Sequence, residues 1–87
     1  MTKQKTMHYS PSYAAVILFG GVNELARQLS ISGSSVSRWR TSVHTGGSIP
    51  SIYHEQILEL AKEQGIDFTA EDVVEGKTLP ITHDRVR

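Results

Sequence analysis

The chain has no cysteine, so neither a disulfide framework nor a thiolate zinc site can hold it together. Its four histidines, His8, His44, His54 and His83, lack the i, i+4 or paired spacing of a metal site, and no metal is expected. The longest unbroken apolar run, Ala14-Ala15-Val16-Ile17-Leu18-Phe19, falls far short of the roughly 20 residues needed to cross a bilayer. It also lacks the small-residue cleavage site of a signal peptide, so a cytoplasmic placement is expected. No glycine-rich phosphate motif occurs. A length of 87 residues leaves no room for a cofactor domain plus a substrate domain. An enzyme is therefore not expected, nor a cofactor, nor a small-molecule substrate.

An excess of charge of one sign is absent too: nine Lys and Arg balance nine Asp and Glu. The balance conceals a split. Residues 1–48 carry five basic side chains against Glu24 alone, whereas residues 49–87 carry four against eight acids. Such a split fits one face for a polyanion and another turned away from it, or an ordinary solvated surface. With 38% hydrophobic residues one thin core is possible. A chain this short buries only roughly 60% of its unfolded surface, so self-association is expected to help stabilise it.

Residues 1–9 are polar and basic without apolar periodicity and read as a flexible arm, and residues 77–87 read as a tail. Residues 10–76 form the domain between them. Ser10 before Pro11 predicts a helix over 11–19, because serine can cap free amides and proline costs nothing at the first helical position. Gly20 suits the left-handed cap of that helix, and Gly21 the start of the next. Over 22–29, Val22, Leu25, Ala26 and Leu29 form one apolar stripe at i, i+3, i+4 and i+7. Ser30-Ile31-Ser32-Gly33 breaks the pattern, with Ser32 capping a third helix over 33–42 whose buried side is Val36, Trp39 and Val43. After the polar residues 44–48, Ile49-Pro50 leads into the longest helix, which presents Tyr53, Ile57, Leu60 and Ala61 to the core and ends at Gly65. Thr69 with Asp72 makes a capping box for a short helix over 70–75, closed by Gly76. No segment alternates as a strand does, so the fold class expected is all-α.

Residues 22–39, VNELARQLSISGSSVSRW, resemble the helix-turn-helix of phage Cro and CI-type repressors. Ala26 stands where two steeply crossed helices need a small residue, and Leu25, Leu29, Ile31, Val36 and Trp39 face inward from both. Ser30 departs from the family, which usually carries glycine in the turn, so a slightly strained or differently shaped turn is expected. Gly20-Gly21-Val22 before the motif, and Ile49-Pro50 before a helix with Ile57-Leu58, extend the likeness to roughly residues 10–76. The resemblance implies a small lambda-repressor-like or Cro-like bundle of five short helices. It also implies a transcriptional regulator, a repressor in a bacterial host cell that sits on the nucleoid when bound.

In that family the third helix enters the major groove of double-stranded operator DNA. The resemblance then makes Arg38 the reader of guanine, since its fork matches the O6 and N7 acceptors, with a phosphate contact or a plain surface charge as the alternatives. Ser34 and Ser37 would specify weakly, while Ser32, Ser35 and Thr41 would donate to phosphates. Gly33 lies where relatives often carry a long polar reader, so no base contact is expected there. Arg40 borders the buried side and could reach a phosphate or an acid of the fourth helix. Arg27 and Gln28 would touch the DNA backbone from the second helix, and Lys3 and Lys5 would follow a groove or remain disordered. The serines lack the base and orienting group that a nucleophile needs, so no residue is assigned a catalytic role.

Two alternatives stay open: an antitoxin or accessory prophage regulator, and a helical adaptor whose basic face binds an acidic protein. A palindromic operator calls for a homodimer. Ile52, Phe68, Val73, Val74 and Leu79 are apolar residues that a thin core need not absorb. The segment Ile66 to Leu79 is accordingly expected to form the dimer patch, with folding back to complete the monomer's core as the alternative.

Overall fold

The structure, a computed structural model, describes residues 5–42 and 46–81. The readings made for Lys3, Val43, His44 and His83 lie outside the described residues. The chain runs β1 (Thr6–Tyr9), α1 (Pro11–Phe19), α2 (Val22–Leu29), α3 (Gly33–Thr41), a single 3-10 turn (Ser51–Tyr53), α4 (His54–Gln64), α5 (Ala70–Glu75) and β2 (Lys77–Pro80). No helix among the described residues is long and apolar enough to cross a membrane.

Helix α1 is apolar around most of its circumference, and Pro11, Ser12, Ala14, Ala15, Val16 and Phe19 are all buried. A helix without a polar face must be covered on several sides. Accordingly α1 packs against α2, α3, α5 and both strands. Pro11 occupies its first turn, and Gly20 ends it at φ 99°, with the Gly20 N–H bonded to the Val16 carbonyl. A side chain in that left-handed conformation costs roughly 1–2 kcal/mol, which explains the glycine. Ser10 is at the N-cap as expected but makes no side-chain capping bond.

The remaining helices each give one face to this core. Leu25, Ala26 and Leu29 come from α2, Val36 and Trp39 from α3, and Ile57 and Ala61 from α4. Tyr53 and Leu60 are half-buried against the same cluster. The capping box at α5 is complete: the Thr69 hydroxyl accepts from the Asp72 N–H at 3.2 Å, and the Asp72 carboxylate accepts from the Thr69 N–H at 3.0 Å.

Two expectations are corrected. The domain is mostly helical rather than all-α, because β1 and β2 pair as an antiparallel two-stranded sheet, Thr6 opposite Pro80 and Tyr9 opposite Lys77. Part of the predicted arm and part of the predicted tail are thus folded. Each strand has only four residues, too few for alternation to register, and its partner is far away in sequence. His8 joins them: its Nε2 donates to the Glu75 carbonyl at 2.9 Å, and its Nδ1 lies 3.2 Å from the Thr78 hydroxyl. Gly76 makes the approach possible, since at φ 91° any β-carbon there would run into the Tyr9 carbonyl oxygen.

The second correction concerns the segment Ile66 to Leu79. Phe68, Val73 and Leu79 are buried in the monomer's own core, with Phe68 edge-on to Phe19 at 6.4 Å between ring centroids. The fold-back alternative is the one realised. Only Val74, 61% exposed, and Ile52, 79% exposed, remain outside from the apolar set expected to form a dimer patch.

Lys77 secures β2 to α5, its ammonium 3.2 Å from the Asp72 carboxylate and 3.5 Å from Asp67. Partial burial opposes ionisation of Asp72, but the Thr69 N–H and the Lys77 ammonium outweigh it and hold the carboxyl below its ordinary range. A depressed carboxyl stabilises the fold above its unfolded value of about 3.9 and loses that contribution as pH falls through the lower folded value. Thermal melts from pH 7 down to pH 2 should therefore show wild-type stability declining below about pH 4. Asp72→Asn should melt lower than wild type at pH 7 and show a shallower acid decline. Parallel curves for the two proteins would refute this role of Asp72.

Candidate nucleic-acid interface

The motif begins on α2, whose stripe of Leu25, Ala26 and Leu29 is buried. The chain leaves that helix through Ser30, the one non-glycine residue among those described with a positive φ, at φ 61° and ψ 41°. Its N–H caps α2 on the Ala26 and Arg27 carbonyls, and the Ile31 N–H follows on Ala26 at 3.0 Å. The strained turn expected from a serine in glycine's place is present.

Ser32 then starts α3, its hydroxyl accepting from the Ser35 N–H at 3.2 Å and lying 3.1 Å from the Ser35 hydroxyl. Val36 and Trp39 anchor one side of α3, and Trp39 packs on Tyr53 with ring centroids 5.2 Å apart. Anchoring one side fixes the other. Ser34, Ser37, Arg38 and Thr41 fall at i, i+3, i+4 and i+7, one polar stripe along the outer face. Ser34, Arg38 and Thr41 are exposed and Ser37 half-buried. The Thr41 hydroxyl donates to the Ser37 carbonyl at 3.1 Å. Arg38 has no ion pair among the described residues.

The other candidates are not part of this stripe. Ser32 and Ser35 stand at its start, bonded to each other. Arg40 turns inward: its guanidinium lies over the Tyr13 ring, 5.2 Å from the centroid, and Tyr13 stacks on Tyr9 at 5.5 Å. Its Nε is buried without a partner among the described residues. Arg40 thus pairs with no acid of α4 among the described residues and lies instead against an aromatic ring of α1. Arg27 and Gln28 are engaged as well. Glu24 pairs with Arg27, accepts from the Gln28 amide at 2.9 Å, and Gln28 in turn accepts from Gln64 of α4.

Asn23 was not among the contacts expected from the sequence. It is exposed on the first turn of α2, and its Oδ1 is 2.6 Å from where a β-carbon on Gly33 would stand. The signal for it was Gly33 itself: the first residue of α3 lacks a side chain where α2 comes close.

The chain matches no family model, no curated protein and no solved structure.

Two variants separate the scaffold from the polar stripe. Ser30→Gly relieves the left-handed turn and should raise stability by about 0.5–1 kcal/mol, a rise of roughly 2–8 °C in melting temperature. A fall would mean that the serine hydroxyl matters more than the backbone. Trp39→Ala should cost about 3–5 kcal/mol. A Trp39→Ala protein melting where wild type does would place the ring outside the core.

Proposed function

We propose that this protein is a sequence-specific DNA-binding regulator with a Cro-like helix-turn-helix, placing α3 in the major groove. What carries the reading is the stripe of Ser34, Ser37, Arg38 and Thr41 on a helix whose opposite side is locked by Val36 and Trp39. A rigid helix displaying short hydroxyls and one guanidinium without an ion pair among the described residues suits a groove lined with acceptors and bordered by phosphate. The capped amide end of α3 and the clustered hydroxyls of Ser32 and Ser35 favour a nearby phosphate oxygen. The resemblance of residues 22–39 to phage Cro and CI-type repressors supports a repressor acting on a palindromic operator in a bacterial cytoplasm. Under this reading the protein works as a homodimer, joined through a surface other than the buried side chains of Phe68, Val73 and Leu79.

Selection of bound duplexes from a random pool tests the reading and yields the operator. With that operator, wild type should give a salt-sensitive, sequence-dependent mobility shift. An absence of enrichment and of any shift at low salt would leave the adaptor alternative. Arg38→Ala should weaken specific binding by about 1–3 kcal/mol and relax preference at one base pair per half-site. A uniform loss with preference intact would reduce Arg38 to a phosphate contact.

A further inference from the structure

Glu24 is the only acid in the first 48 residues, and it lies within the helix-turn-helix. It is also fully used. Both of its carboxylate oxygens accept from Arg27, Oε1 from Nε at 3.2 Å and Oε2 from Nη2, and Oε2 accepts from Gln28 at 2.9 Å. Gln28 is fastened in turn to Gln64 of α4. A two-pronged guanidinium–carboxylate pair is the strongest geometry available to an exposed arginine. The network therefore engages the Nε/Nη2 edge of the Arg27 guanidinium and the Gln28 amide, the two α2 side chains best placed by type to meet a phosphate.

The position gives this consequence. Asn23, one turn before Arg27 on the same side of α2, stands against Gly33 at the start of α3. Arg27 follows on the same line, with 70% of its side chain exposed. An arginine there would add one backbone contact to a surface occupied by DNA, provided that it left Glu24.

Resting on the DNA-binding reading above, we propose that Glu24 sets the grip of this surface on the phosphate backbone by holding Arg27 and Gln28 in an intramolecular network. The carboxylate competes with phosphate for the same guanidinium fork. Non-specific affinity is kept low, and discrimination falls on Arg38. The ion pair also holds the Glu24 carboxyl below the usual glutamate range, Arg27 being the main cause and Gln28 the second.

The test uses the full chain and a random-sequence 30-base-pair duplex, with affinity followed by fluorescence anisotropy between 50 and 200 mM salt. Glu24→Gln keeps the shape and removes the charge. It should tighten binding at 0.1 M salt roughly fivefold to tenfold and steepen the log–log salt slope by about 0.9, the signature of one added phosphate contact. Arg27→Ala should lose less than twofold on its own and should cancel the gain when combined with Glu24→Gln. A gain that survives in the double variant would show a diffuse charge effect and overturn the proposal. Equal affinities for wild type and Glu24→Gln would overturn it also, while leaving the DNA-binding reading intact. No binding by either wild type or Glu24→Gln at 50 mM salt, together with no enrichment of duplexes from the random pool, would remove that reading and the proposal with it. Independently of DNA, carbon-detected titration of the Glu24 carboxyl should return toward the ordinary glutamate range in Arg27→Ala. An unchanged titration would show that the clamp does not exist in solution.

Discussion

Enclosing α1 is the constraint on which the structure depends. A nine-residue helix with six buried positions leaves no stable arrangement in which one side faces water. It has to be covered by α2 and α3 on one part of its surface and by α5 and the sheet on another. Covering it on the first part sets the inclination of the helix-turn-helix. With Val36 and Trp39 committed to the interior, the rotation of α3 about its own axis is fixed, and Ser34, Arg38 and Thr41 are left on the outer face with Ser37 half-buried between them. Covering it on the second part takes Phe68, Val73 and Leu79, which is why these are unavailable to a partner.

The helices were readable because their boundary signals are local. Gly20, Ser32, the Thr69–Asp72 box and Gly65 each act within a turn of themselves, and each does what its chemistry predicts. The sheet was not readable, because its eight residues acquire meaning only when paired across the whole domain. The same division runs through the candidate site. The stripe of Ser34, Ser37, Arg38 and Thr41 follows from helical period once Val36 and Trp39 are placed inside. The fates of Arg40, Arg27 and Gln28 do not, for they depend on Tyr13, on Glu24 and on Gln64, and a charged side chain reads alike whether its neighbour is a ring, an acid or water.

Under the proposed function, the composition of the stripe shapes the kind of recognition possible. Hydroxyls are both donors and acceptors and accommodate several base edges, so three of the four side chains carry little discrimination. Arg38 alone has a fixed fork. Selectivity from such a surface would draw on how easily the duplex conforms to the protein as much as on direct contacts.

The two-stranded sheet has a kinetic meaning. His8 and Thr78, which meet across it, are 70 residues apart in the chain. The helix-turn-helix, by contrast, is built from neighbours. Bringing distant segments together is entropically costly until the intervening chain is already compact, whereas adjacent helices meet early. Closing the ladder therefore requires the intervening chain to be compact first, a requirement the helix-turn-helix does not share. Since Tyr9 leads through Tyr13 to Arg40, this long-range edge is also the far end of the stack that steadies the C-terminal part of α3.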